Sequence, residues 1–116
     1  LEEIEGDAEA ARAVLPELAC DVWSAAETLR EATEWMVAQD MTERFAGAAP
    51  YLRAFARVLG AHYHLRAAMA EGGKGPRSAL ARVYIRRLLP VYAAHLAEAR
   101  DGSDGIMSLS PDDLAA

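Results

Sequence analysis

Residues 51–69, YLRAFARVLGAHYHLRAAM, decide the fold. Read as a strand, their two histidines share a face; read as a helix, they part. Tyr51, Phe55, Val58, His62, Leu65 and Met69 recur at alternating intervals of four and three residues, and Leu52, Ala56, Leu59 and Tyr63 form a neighbouring stripe, which is helical periodicity. So wide an apolar arc predicts the most buried helix of the chain, from near Pro50 to about Glu71. On a helix His62 and His64 point about 200° apart. His62 then falls on the core stripe as a hydrogen-bonded histidine, and His64 lies with Arg53 and Arg57 on a polar face.

The same periodicity extends in both directions. Upstream, Val22, Ala26, Leu29, Thr33 and Met36 mark a helix from about Pro16 to Gln39, with proline suited to its first turn. Asp7 is expected to cap a short helix ending near Val14. DMTERFAGAA, residues 40–49, breaks the pattern with Asp40, Thr42 and Gly47. Downstream, GGKGP at 72–76 reads as a loop. A helix from Pro76 or Ser78 to about Arg100 follows, with Ile85, Leu88, Leu89, Tyr92 and Leu96 as its core stripe. Pro90 removes one backbone hydrogen bond within it and predicts a kink rather than an end, since the stripe continues. In the tail, Ser110, Pro111, Asp112 and Asp113 read as one capped turn. No alternating strand-like run is present. The expected class is all-α: an up-and-down antiparallel bundle of three long helices plus a short N-terminal helix, one domain over residues 1–116.

The composition, 53% hydrophobic and 26% charged, is that of a folded globular domain. The acidic start LEEIEGDAEA lacks the basic and apolar segments of a signal peptide, and every apolar stretch is too short to span a bilayer. A single cysteine, Cys20, forms no internal disulfide and fits a reducing compartment. A soluble, cytoplasmic protein is expected, and a chain opening on Leu1 reads as a piece of a longer one. The net charge of −6 is segregated: residues 1–50 carry twelve acids and three arginines, whereas residues 51–100 carry nine cations and two acids. Acidic and basic helices packed side by side account for this, and the excess acid argues against a nucleic-acid partner.

Motifs for chemistry are absent. His62, His64 and His95 make neither a His-x-x-x-His nor a Glu-x-x-His pair, so no metal ligands are assigned. No Gly-x-Ser-x-Gly turn presents a nucleophile, and GGKGP lacks the spacing of a phosphate loop. Cys20, on a helix among acids, is a poor nucleophile and is expected to pack. Glu27, Glu31 and Glu34 follow a solvated helical face. Trp23, Trp35, Tyr63, Tyr84 and Tyr92 suit a core or an interface. No catalytic, cofactor-binding or metal-binding residue is therefore assigned.

Three segments nevertheless carry a specific likeness: LREATEWMVAQ (29–39), AGAAPYLRAFARVLGAHYHLRAAM (46–69) and ARVYIRRLLPVYAAHLAEARDGSDGIMSLSPDDL (81–114). Their Ala-Thr-x-Trp, Ala-Gly-Ala-x-Pro-Tyr-Leu-Arg-x-Phe, Ala-Arg-x-Tyr and Leu-Leu-Pro elements, in that order, resemble the C-terminal helical extension of long bacterial acyl-CoA dehydrogenases. Gly60, Ala61 and His62 stand where the family often has Gly-Gly and a bulky apolar residue, and Val83 where it usually has an aromatic. The resemblance implies a parent flavoenzyme, expected to be a homo-oligomer, that oxidises acyl-CoA to 2,3-enoyl-CoA. Its carboxylate base and its FAD would belong to upstream domains that this chain lacks. The chain itself would hold no cofactor and would pack on those domains.

The residues offer a docking face independently. Arg82, Arg86, Ala93, Ala97 and Arg100 are expected on one side of the last long helix, where small residues admit a close surface and arginines can engage carboxylates or phosphates in a fork. Arg53 and Arg57, one turn apart, make a second patch. The leading reading is a non-catalytic accessory domain. The alternatives are a free-standing helical interaction module and, least favoured, an anionic-membrane or nucleic-acid binder with salt-sensitive affinity.

Overall fold

A computed structural model describes residues 1–115; Ala116, the last residue of the expected domain, lies outside the described residues. The chain forms helices α1 (Glu2–Ala11), α2 (Pro16–Ala38), α3 (Met41–Ala70) and α4 (Pro76–Val83). A π-turn (Tyr84–Leu88) and a 3-10 turn (Leu89–Val91) then lead into α5 (Tyr92–Asp101), followed by the short α6 (Asp104–Met107) and α7 (Pro111–Ala115). No strand occurs among the described residues, and the class is all-α. The bundle differs from the expected three long helices and one short one, because the last long helix is broken and the tail adds two short segments.

Antiparallel pairing follows from the contacts. Thr33 of α2 bonds Tyr51 of α3, while Met36 lies beside Gly47. Along the next pair, Ser78 reaches the Ala68 carbonyl, Tyr84 that of Arg57, and the Ala99 carbonyl abuts Gly47. The short α1 runs back along α3, placing Asp7 at His62 and Glu3 at Arg66. Thus α3 touches every other element of the body. Its buried stripe is Gly47, Pro50, Ala54, Val58, Ala61, His62, Leu65 and Ala68, mostly small residues that let neighbouring backbones come close. The second stripe expected to be buried is not: Leu52 and Tyr63 are exposed and Leu59 is half-buried.

Three boundaries depart from expectation. Helix α1 begins at Glu2, so Asp7 sits inside it and points to His62 instead of capping. Helix α3 begins at Met41, about two and a half turns before Pro50. Asp40 caps it, its carboxylate oxygen accepting the Glu43 amide at 3.0 Å; Thr42, Gly47 and Pro50 are helical residues rather than a break. Tertiary packing overrides the local cost of an internal proline and glycine.

The third departure is at Pro90. The chain stays helical through it, as expected, but by a π-turn closed from the Leu89 amide to the Tyr84 carbonyl and then a 3-10 turn. The wider turn rotates the following residues, leaving Leu88 exposed while Ile85, Leu89 and Leu96 remain buried.

The loops match their sequences. Gly72 and Gly73 take φ values of 68° and 80°, the left-handed conformation that ends α3. The Glu71 carboxylate then accepts the Arg77 and Ser78 amides in the first turn of α4. In the tail, Ser110 and Asp113 cap α7 reciprocally, and those hydrogen bonds hold the Asp113 carboxyl below its ordinary range.

Glu5 ties α1 to α2, accepting both Nε and Nη2 of Arg30 at 3.0 and 2.7 Å. That bond lowers the Glu5 pKa. Neighbouring Glu27 is pushed upward, first by burial and then by its hydrogen bond to Glu5. The two carboxyls oppose each other with pH. The Glu5 contribution is present above its ordinary pKa and is lost as pH falls through its lowered value. The Glu27 contribution is present below its ordinary pKa and is lost as pH rises through its raised value.

Two outcomes follow from these contacts. Gly47→Ala, which in an open helix would gain up to ~1 kcal/mol, places its Cβ 2.7 Å from the Ala99 backbone carbonyl. It is expected to destabilise by about 1–3 kcal/mol, and a rise in denaturation midpoint would refute the close approach. Glu27→Gln removes a disfavoured charge beside Glu5. Its melting temperature should rise at pH 7 by more than at pH 4; an equal change at both pH values would contradict the raised pKa.

Candidate functional site

His62 is 2% exposed and its Nε2 lies 2.7 Å from the Asp7 carboxylate, the hydrogen-bonded core histidine expected. Its Nδ1 is buried without a partner. Tertiary packing brings Glu3 and Asp7 together with His62 across α1 and α3, a set of ligand atoms within 4.8 Å that no single-helix spacing could announce. A cation is already there: Arg66 Nη1 lies 3.0 Å from Glu3 and its Nε 3.4 Å from Asp7. The guanidinium bridges the two carboxylates of α1, so the cluster clasps α1 to α3.

The arginine face runs along the seam between α4–α5 and α2. Arg82, Arg86, Ala93, Ala97 and Arg100 are all exposed. Arg86 pairs with Glu17 at 2.7 Å and with Asp21 at 3.5 Å. It shares a cleft of about 370 Å³ with Ala93, Asp21 and Pro90. Arg82 borders a separate cleft with Val14 and Glu17, and Arg100 lies 5.7 Å over the Trp35 ring, a cation–π contact. Two of the three arginines thus serve the fold.

A different surface is left uncovered. Met41, Phe45, Ala48 and Leu52 follow one another at intervals of four, three and four residues on α3, and Val37 stands opposite on α2. Val37, Met41, Phe45 and Leu52 are 64, 64, 73 and 63% exposed. Phe45, Ala48 and Leu52 line a groove of about 370 Å³ with Thr33, Met36, Val37, Arg44 and Tyr51. Arg44 holds its end by donating to the Val37 and Gln39 carbonyls. The 4-3-4 spacing from Met41 was the available signal, hidden because residues 40–49 read as a break. Glu43, on the same turn, accepts the Ser103 amide at 2.9 Å. That anchors the tail, whose Ile106, Met107, Leu109 and Leu114 are exposed, at the groove's end of the bundle.

On the far side of α3, Arg53, Ala56, Arg57, Tyr84 and His95 line a cleft of about 400 Å³. Tyr84 donates its hydroxyl to the Arg57 carbonyl at 3.0 Å, and His64 stacks on its ring at 4.6 Å. Burial pushes the Tyr84 phenol up, against the opposing pull of Arg57, so it remains a donor at neutral pH. Cys20, expected to pack, is exposed. Glu5 and Glu27 line none of these clefts. No described helix is long and apolar enough to cross a membrane.

The model of one family, described as Acetyl-CoA dehydrogenase C-terminal like, matches residues 1–110. No curated protein and no solved structure matches.

Proposed function

The chain belongs to the acetyl-CoA dehydrogenase C-terminal-like family, and from that premise we propose that it is the non-catalytic accessory domain of a flavin-dependent acyl-CoA dehydrogenase. The parent, a cytoplasmic homo-oligomer in this reading, oxidises acyl-CoA to 2,3-enoyl-CoA with FAD and a base held in its upstream domains. This chain supplies a surface that packs on them. The observation that carries the reading is the uncovered groove. Met41, Phe45 and Leu52 make a helical stripe of core type that the chain's own core does not use, and contiguous exposed apolar surface marks an interaction site. Burying each such side chain against another surface is worth about 1.5–3 kcal/mol. The arginine seam stays open to contact, but with Arg86 held by Glu17 and Asp21 it has less to offer a partner than the groove.

The test joins sequence context to binding. The reading frame upstream of Leu1 is expected to encode a flavin-dependent dehydrogenase body, and that body, expressed without this domain, is expected to bind the chain in trans. The double variant Phe45→Asp/Leu52→Asp changes two exposed residues and so should keep its melting temperature, while its affinity for the body, followed by calorimetry, drops more than tenfold. A start codon just before Leu1, or variant affinity equal to that of the parent sequence, would refute the reading in favour of a free-standing module.

A further inference from the structure

The cleft between α3 and α5 concentrates positive charge that the fold leaves unanswered. In the basic half of the chain Arg66 pairs with Glu3 and Asp7, and Arg86 with Glu17 and Asp21; Lys74, Arg77, Arg82, Arg87 and Arg100 stand apart from the described carboxylates on the surface, whereas Arg53 and Arg57 line one cleft together with His95. Among the described residues, no carboxylate lies within 4 Å of Arg53, Arg57 or His95. Arg53 and Arg57 stand one helical turn apart, a spacing at which like charges repel. In a chain of net charge −6, this is a local reversal of sign.

The cleft is also built, and the broken helix builds it. In a regular α-helix the Leu88 carbonyl would accept the Tyr92 amide; the 3-10 turn at Pro90 sends that amide to the Leu89 carbonyl instead. The Leu88 carbonyl accepts Arg57 Nη1 at 3.3 Å, which steadies a half-buried guanidinium at the cleft wall while leaving its other N–H groups unassigned. Tyr84, at the start of the π-turn, is fixed by its bond to the Arg57 backbone and by His64 stacked on its ring. Two guanidinium groups, an imidazole, Ala56 and Tyr84 therefore line one cleft.

We infer that this cleft binds a phosphomonoester, its phosphate held by Arg53, Arg57 and His95 and its organic part lying on Ala56 and the Tyr84 ring. Two permanent positive charges match a dianion, where a carboxylate would leave one in excess, and guanidinium forks suit phosphate oxygens. A volume of about 400 Å³ leaves room beyond the phosphate for a small organic group.

The test is a titration followed by NMR of the histidine ring protons in the 116-residue chain, using phenyl phosphate, inorganic phosphate and, at matched ionic strength, sodium chloride. The His95 signals are expected to shift and saturate with both phosphates, with phenyl phosphate the tighter, while those of buried His62 stay in place. Arg53→Gln, a change at an exposed position that should not alter the melting temperature, is expected to weaken phenyl phosphate about tenfold, the loss of one charge-assisted hydrogen bond. Inorganic phosphate as tight as phenyl phosphate would overturn the phosphomonoester in favour of the free ion. Equal shifts with chloride, or an affinity unchanged by Arg53→Gln, would overturn the site altogether. None of these outcomes depends on the dehydrogenase body, so this inference and the docking reading fail separately.

Discussion

Close approach of helix backbones to α3 is the constraint on which the remaining structure depends. Where Gly47 meets the Ala99 carbonyl there is no space for a methyl group, and Ala54, Ala61 and Ala68 continue the same small-residue line at intervals of seven. Between them Val58 and Leu65 fill the volume. Small and large residues alternate so that α1, α2 and α4–α5 can all lie against one helix, and the buried core is mostly alanine and leucine, with Tyr51, Phe55, Tyr84 and Tyr92 packed against it. Such a helix is occupied on several sides at once. What it leaves exposed, the Met41–Leu52 stripe and the Arg53–Arg57 edge, is the surface available for partners.

The break at Pro90 shows how one residue reshapes a site at a distance. Its missing N–H is absorbed by a wider and then a tighter turn instead of a helix end, because Ile85, Leu89 and Leu96 keep both sides buried. The rotation turns Leu88 outward, offers its carbonyl to Arg57 and sets Tyr84 against α3. Turns of this kind recur at functional positions because they free backbone groups and re-aim side chains.

Charge segregation along the chain becomes charge pairing in space. Acids of α1 and α2 meet Arg66 of α3 and Arg86 of the π-turn in exposed or half-exposed pairs. Each such pair contributes little to stability, and their joint effect is to orient the helices. The Glu3–Asp7–His62–Arg66 cluster is the densest of them, and its guanidinium supplies the positive charge that brings two carboxylates and an imidazole together.

Sequence alone determined the helical class, α2 and its proline start, the GGKGP turn, the burial of His62, the continuation past Pro90 and the likeness to the acyl-CoA dehydrogenase C-terminal family. Each of these rests on local periodicity, on capping chemistry or on ordered motifs. Asp40, Thr42 and Gly47 read as a break before a helix starting near Pro50, and so the first turns of α3 and the groove they carry went unseen. Only tertiary structure decided that Leu52 and Tyr63 face outward, that Arg86 is already paired, that Asp7 belongs to His62 and that Arg53, Arg57 and His95 share one cleft. A helical stripe specifies an apolar face without saying what covers it, and the pairing of charges distant in sequence depends on which backbones can approach. Here glycine and alanine on α3 settle that by the space they leave.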